Sequence, residues 1–502
     1  MKKSLEFLAS LLKNANPAAM PAEIYPDSPH KLPGAVVAAA RTAEGRVLLV
    51  AAESSAALPC GFEGERVELA GGAVGMICPQ NAANAAALRK HFPWCAPRSL
   101  RKERTTIGCG DRLGLATAGQ IRAAKKYALS PVLAQQSMRE LSMTGRTFRG
   151  VVDDAVFQVF AADFQSGYGA DGDHLKKIVD IDVALDAGMP MITLDLSEVM
   201  NAAAGDWSEE EISRAFAALP ETDQTRTGKL YFDKSFDVGA GVQVKLNAAT
   251  ARRCAVMYNK ALDFAVEVYK HLQERRGDEF DLEISIDETT SPTLPSHHLY
   301  IASELNRRGV VVSSLAPRFI GEFQKAVDYI GDLAEFDRQF KVHARISKAF
   351  GGYKISVHSG SDKFAVYPTV GRETEGYLHL KTAGTSWLVA VLVIAQNDPA
   401  LYREMHRFAE AHFEEMLKLY HITADLSRIP KLDTLSDAEL PALVESHPDA
   451  RQLMHITYGP ILTGPLRARF FEAMHKFEEE YAQALEKHFD KHFSLLHIPR
   501  KG

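Results

Sequence analysis

From Thr105 onward, short apolar or β-branched runs alternate with stretches of helical period, which is the sequence form of repeated βα units around a parallel sheet. Eight runs predict strands, at residues 105–109, 131–135, 166–169, 189–194, 281–286, 310–315, 354–358 and 378–381. Helical patterns follow at 119–127, 152–162, 175–185 and 298–308. Eight is the number of strands that closes such a sheet, so the expected fold class is α/β, a (β/α)8 TIM-like barrel over residues 101–398.

The spacing breaks once, between the fourth and fifth strands. A helix at 208–218, a polar stretch at 222–243 and a helix at 248–276 predict an insertion over about 200–276, expected to be an inserted subdomain or lid. Residues 1–100 differ in texture, being rich in Ala, Gly and Pro with β-type runs at 35–40 and 46–51, and form an N-terminal accessory region. Beyond 398 the pattern turns helical, with long amphipathic stretches at 400–420 and 465–492. Phe470, Phe471, Phe477 and Tyr481 lie at helical spacing there, and are expected to pack on the barrel or to form the interface of a homo-oligomer.

Composition narrows the function classes. The 502 residues are 46% hydrophobic and carry a formal net charge of -6, without a Lys/Arg-rich run, which argues against nucleic acid as a partner. Glu6, Lys13 and Asn14 interrupt the first apolar stretch, which predicts a small amphipathic helix over 4–14 rather than a leader. No run approaches the roughly 20 apolar residues of a membrane span, so no membrane partner is expected. Five cysteines without a CxxC pair indicate neither a disulfide framework nor a thiolate metal site, and a reducing cytoplasm is the expected compartment.

The active site of such a barrel forms at the C-terminal ends of its strands, and polar residues crowd the positions just after the apolar runs. His174, Glu288 and His358 each follow a different strand, and barrel closure could bring them to one cation. Two imidazoles and a carboxylate suit a divalent ion, Zn, Mn or Fe, and leave positions open for substrate oxygens. Asp173 or Asp287 could add a ligand or move a proton. His298, at the start of a helix, is expected to cap it or face solvent, and Asp195 to cap the segment after the fourth strand or join the site. Arg112, Arg318, Lys354, Lys363 and Lys381 lie near strand ends and could bind an anionic substrate, Lys354 least well because it opens its strand. The GxGxxxG spacing of Gly108, Gly110 and Gly114 does not match a dinucleotide fingerprint, and its glycines suit backbone approach to an oxygen-rich ligand instead.

The motifs RTTIGCGDRLGLAT (104–117), GYGADGDHLK (167–176), EISIDETTSPT (283–293), FGGYKISVHSGSDKFAVYP (350–368) and LKTAGTSW (380–387) resemble the tagaturonate/fructuronate epimerase family. Asp173-His174 and the turn after His358 are also similar to the zinc-binding elements of class II aldolases. The resemblance implies an isomerase that interconverts D-tagaturonate and D-fructuronate with a divalent metal. The inverted carbon is β to the ketone, so its hydrogen is not acidified and simple enolisation cannot invert it. Retro-aldol cleavage through a metal-stabilised enediolate, followed by rotation of the aldehyde, is one route, and direct proton abstraction is another. In this reading His174, Glu288 and His358 hold the metal, and Asp173, Asp287 and Glu288 form the catalytic set. Asp111, Arg112, Arg318, Ser359, Ser361, Asp362, Lys363 and Lys381 bind the keto-uronate. A class II aldolase-like lyase and a non-catalytic barrel subunit are the alternatives.

Overall fold

Period-two alternation in the first hundred residues builds a sheet with two apolar faces. The computed structural model describes residues 2–15, 23–42, 45–287, 291–358, 362–382 and 384–501. Strands Ala35–Thr42 and Gly45–Ala52 form the centre of a six-stranded sheet whose pairings are all antiparallel. Val36, Ala38, Ala40 and Leu49 face Leu8 and Leu11 of the N-terminal helix Lys2–Ala15. Gly75 makes room for that helix, since a Cβ there would come within 2.3 Å of the Leu11 side chain. Val37, Ala39, Leu48 and Val50 point the other way and join the core that runs on through the barrel.

The barrel strands are β1 (Thr105–Gly108), β2 (Ser130–Ser137), β3 (Gly169–Leu175), β4 (Met191–Asp195), β5 (Asp281–Ile286), β6 (Ser314–Pro317), β7 (Lys354–His358) and β8 (Leu378–Lys381). Each pairs in parallel with its neighbour in the chain, and β8 closes onto β1. The fold is therefore the expected (β/α)8 barrel. Two strands sit later in the chain than their apolar runs predicted. β3 is built from Gly-Ala-Asp-Gly-Asp-His-Leu, where small residues serve close packing: a Cβ on Gly172 would lie 2.9 Å from that of Ala184. β6 begins at Ser314 because Val311, in the apolar run before it, is 53% exposed.

The 200–276 excursion carries the connection from β4 to β5. Its 29-residue helix Ala248–Arg276 is the crossover that returns the chain from β4 to β5, and its apolar stripe is buried against the barrel layer. Helices Glu209–Ala217 and Glu221–Tyr231 pack on its flank, and the hairpin of Lys234–Asp237 with Gln243–Leu246 lies between the second of these and the crossover helix in the chain.

After β8, the helix Thr385–Asn397 is buried along nearly its whole length, with Trp387 Nε1 donating to the Met454 carbonyl at 2.7 Å. The final helix, Glu478–Leu495, packs on Thr117–Lys125. Phe470, Phe477 and Tyr481 are buried within the chain, so packing on the barrel accounts for them. Among the described residues no helix is long and apolar enough to cross a membrane.

Candidate active site

A regular strand sends consecutive side chains to opposite faces, so Asp173 and His174 could not both point into the barrel mouth from one. The structure solves this with a bulge. Opposite β4, Gly172 pairs with Ile192 and Leu175 with Leu194, leaving Asp173 and His174 against Thr193 alone. His174 takes φ +54, a left-handed conformation that L-residues adopt at a cost of about 1–3 kcal/mol when the surroundings impose it. Both side chains now line one cavity of about 690 Å³ at the strand C-termini, together with Asp287, His358 and Lys381.

Each imidazole in this mouth is pinned through one nitrogen. His174 Nδ1 lies 2.7 Å from Asp173 Oδ1, and His358 Nε2 lies 2.7 Å from Glu283 Oε1. The opposite nitrogens, His174 Nε2 and His358 Nδ1, are buried without a hydrogen-bond partner and face Asp287 at 3.4 and 3.1 Å. His174, Asp287 and His358 thus offer three ligand atoms that all lie within 4.8 Å of one another. A carboxylate behind each imidazole, with the free lone pair turned inward, is the arrangement that orients histidine ligands toward a metal.

Beneath them lies a buried ionic floor. Lys381 Nζ sits 2.6 Å from Asp173, 2.9 Å from Asp171 and 3.1 Å from Glu283, and also contacts Thr193 Oγ1. Burial pushes every carboxyl here upward. In Asp171 burial wins and the pKa rises to about 6. Around Asp173 the charges of His174 and Lys381 overcome it, as Lys381 and His358 do for Glu283 and the two imidazoles for Asp287, and these three stay below the usual carboxylate range. Burial opposes charge on both imidazoles, yet Asp173 and Asp287 hold His174, and Asp287 and Glu283 hold His358, above the usual histidine range. In the absence of a metal the protons on His174 and His358, with Lys381, offset Asp173, Glu283 and Asp287, and a divalent cation bound to the two imidazoles would take the place of those protons.

The expected site residues divide in the structure. Asp173, His174, Asp287, His358, Arg112, Arg318 and Lys381 line the cavity. Glu288, Ser359 and Ser361 lie outside the described residues. Lys381, expected to hold substrate, lines the cavity with its ammonium shared among the carboxylates of the ionic floor. Asp111 is a turn residue: its carboxylate accepts the backbone N–H groups of Leu113, Gly114 and Ala116. Asp362 turns to Arg451 and His488, and Lys363 Nζ donates to the carbonyls of Gln324 and Val327. Lys354 reaches the Leu100 and Glu103 carbonyls below β7. His298 caps nothing; it is buried with its ring nitrogens on His343 and Tyr353. Asp195 takes the capping role, accepting from Ser197 N.

Arg112 is held in one orientation on the cavity wall. Its Nε and Nη2 fork onto Glu140 at 2.9 and 2.8 Å, its guanidinium stacks 3.8 Å over the Tyr458 ring, and Nη1 is buried without a partner. Asp171, Thr193, Glu283 and Glu140 were missed by the sequence reading. The available signal was a charged residue between the apolar positions of a strand, as Glu283 is between Leu282 and Ile284 in DLEISI, since only an inward face with partners can accept it.

A closed parallel barrel with a metal-type donor set at its strand C-termini defines a (β/α)8-barrel enzyme with a candidate cation centre. The family model described as tagaturonate epimerase matches residues 25–496, and the chain belongs to that family. The tagaturonate/fructuronate epimerase of Thermotoga maritima is 41% identical over 455 residues, which cover 90% of this chain and 92% of that protein. The native crystal structure of fructuronate-tagaturonate epimerase UxaE from Cohnella laeviribosi is 42% identical with a TM-score of 0.92, covering 99% of this chain and 100% of that one. Its complex with one glycerol is 41% identical, with the same TM-score and coverage.

Proposed function

We propose that this chain is a metal-dependent epimerase that interconverts D-tagaturonate and D-fructuronate, with His174, His358 and Asp287 as the metal ligands. Membership of the family supports the reaction, and the convergence of two unpartnered imidazole nitrogens on one carboxylate carries the metal assignment. A divalent ion such as Zn, Mn or Fe would, when bound, polarise the ketone and hydroxyl oxygens of the substrate.

The chain's own residues do the rest. Asp173 and Glu283 fix the tautomer and direction of the two imidazoles. The free Nη1 of Arg112 receives the uronate carboxylate, with Arg318 on the same wall of the cavity. Inversion β to the ketone proceeds by cleavage of the bond between the hydroxyl-bearing carbon and the carbon next to the ketone. The bonding pair goes to the ketone fragment and the hydroxyl proton to a carboxylate. The aldehyde fragment turns, and the bond forms again on its other face with return of the proton. Asp173 or Asp287, the two carboxylates beside the imidazoles on the cavity wall, takes that proton. The free thiols among the five cysteines fit the reducing cytoplasm as its compartment.

The test is epimerisation of tagaturonate by chelator-treated and metal-restored protein in deuterated water. The expected result is activity that returns with metal and product that carries no deuterium at the inverted carbon, because its C–H bond never breaks. Deuterium at that carbon would replace cleavage by proton abstraction. Accumulation of free three-carbon fragments would make the chain a lyase.

A further inference from the structure

Far along the chain from the mouth, the helix Glu478–Leu495 carries the run His-Phe-Asp-Lys-His, which sets His488 and His492 one turn apart on one face. Asp362, in the segment that leaves β7, faces them. Its Oδ1 lies 2.9 Å from His488 Nε2 and 3.4 Å from His492 Nε2, and the three ligand atoms fall within 4.8 Å of one another.

The hydrogen bonding of His492 makes this more than a packed acid and base. Its Nδ1 lies 2.9 Å from the His488 carbonyl oxygen, which can only accept, so Nδ1 bears the hydrogen. In the neutral ring Nε2 then keeps a lone pair, aimed at a carboxylate oxygen. That nitrogen is fully buried and has no hydrogen-bond partner. Two electron-rich atoms facing each other without water repel unless positive charge lies between them. Arg451 answers the other oxygen, with Nη2 3.0 Å from Oδ2, and leaves Oδ1 to the histidines. Phe364 walls the pair, its ring 6.0 Å from that of His488 and 5.0 Å from that of His492.

We propose that Asp362, His488 and His492 bind a second divalent cation, of the zinc type, at a site separate from the barrel mouth. Two imidazoles and one carboxylate form a nitrogen and oxygen donor set suited to zinc, and half-buried His488 leaves an approach for a water as a further ligand. The ion ties the segment that follows His358 to the last helix, and so holds the mouth from behind without touching substrate.

Metal-free protein is loaded with Zn2+, desalted and assayed for bound zinc, as wild type and as His174→Ala, His488→Ala and His492→Gln. The expected content is about two equivalents in wild type and about one in each variant. Zinc should also raise the thermal midpoint of His174→Ala, where only the second site remains, and raise that of wild type more than that of His488→Ala. His488 is half-buried, so its variant keeps the test valid should His492→Gln fail to fold. Zinc content in both helix variants equal to that of wild type overturns the proposal, as does a single wild-type equivalent that His174→Ala removes. A single equivalent lost only in the helix variants upholds this site and overturns the one in the mouth.

Discussion

Glu283 touches His358, Lys381 and Ser314 at once, so its charge both aims a ligand and balances the floor. Glu283→Gln keeps its shape and lowers its hold on the imidazole. Metal affinity, measured by competition with a chelator, should fall about 10–100-fold, and an unchanged affinity would deny Glu283 its orienting part. Arg112 has a different kind of work. Its fork on Glu140 and its stacking on Tyr458 fix the guanidinium plane, so Nη1 meets an anion in one geometry. Arg112→Lys retains charge but loses the fork, and KM for tagaturonate should rise about 10-fold or more with kcat nearly unchanged. A fall in kcat at constant KM would place Arg112 with the reacting atoms instead. His455 stands near the same corner with both ring nitrogens buried and unpartnered. Burial, followed by the charges of Arg112, Lys325, Lys363 and Arg451, keeps it neutral.

At the scale of elements, the bulge in β3 and the close approach of two helices matter most. The bulge is what lets neighbouring residues Asp173 and His174 share one face, and alternation along the strand cannot show it in advance. The helix Thr117–Lys125 meets Glu478–Leu495 at Gly119, where a Cβ would lie 2.6 Å from the Ala482 carbonyl oxygen and 2.6 Å from Leu485 Cβ. Backbone cannot yield as a side chain tip can. Gly119→Ala should therefore lower unfolding free energy by about 1–3 kcal/mol in urea, although alanine favours helix formation. A stabilised variant would show that the two helices can separate without loss. This contact also explains why the C-terminal helices are part of the barrel's support rather than an appendage.

Across the whole molecule, buried neutral histidines set the acid limit. Burial pushes His343 down to about 3, and burial with the neighbouring His343 puts His298 well below its usual value. Both pKa values are depressed on folding, so the unfolded chain binds more protons below about pH 6.5, and stability present above that pH is lost as pH falls. Each such histidine contributes a slope of up to about 1.4 kcal/mol per pH unit between pH 6.5 and the folded pKa. His343→Phe, facing Phe319, should flatten the decline of stability between pH 6.5 and 5. An equal slope in both proteins would remove His343 from this role. The order of apolar runs by itself indicated eight βα repeats, because strand number and βα alternation are local properties, while the pairing of β8 with β1 that closes them is tertiary. It likewise singled out His174, Glu288 and His358 as a metal set with Asp173 and Asp287 beside them, all of which follow or end those runs. Only the tertiary structure decided that Asp111 serves a turn, that Asp362 faces Arg451, His488 and His492, that Lys381 is bound within an ionic floor, and that Arg112 keeps a free donor. Those roles depend on which groups from distant strands and helices share a space too small for water, and such partnerships leave no periodic trace along the chain.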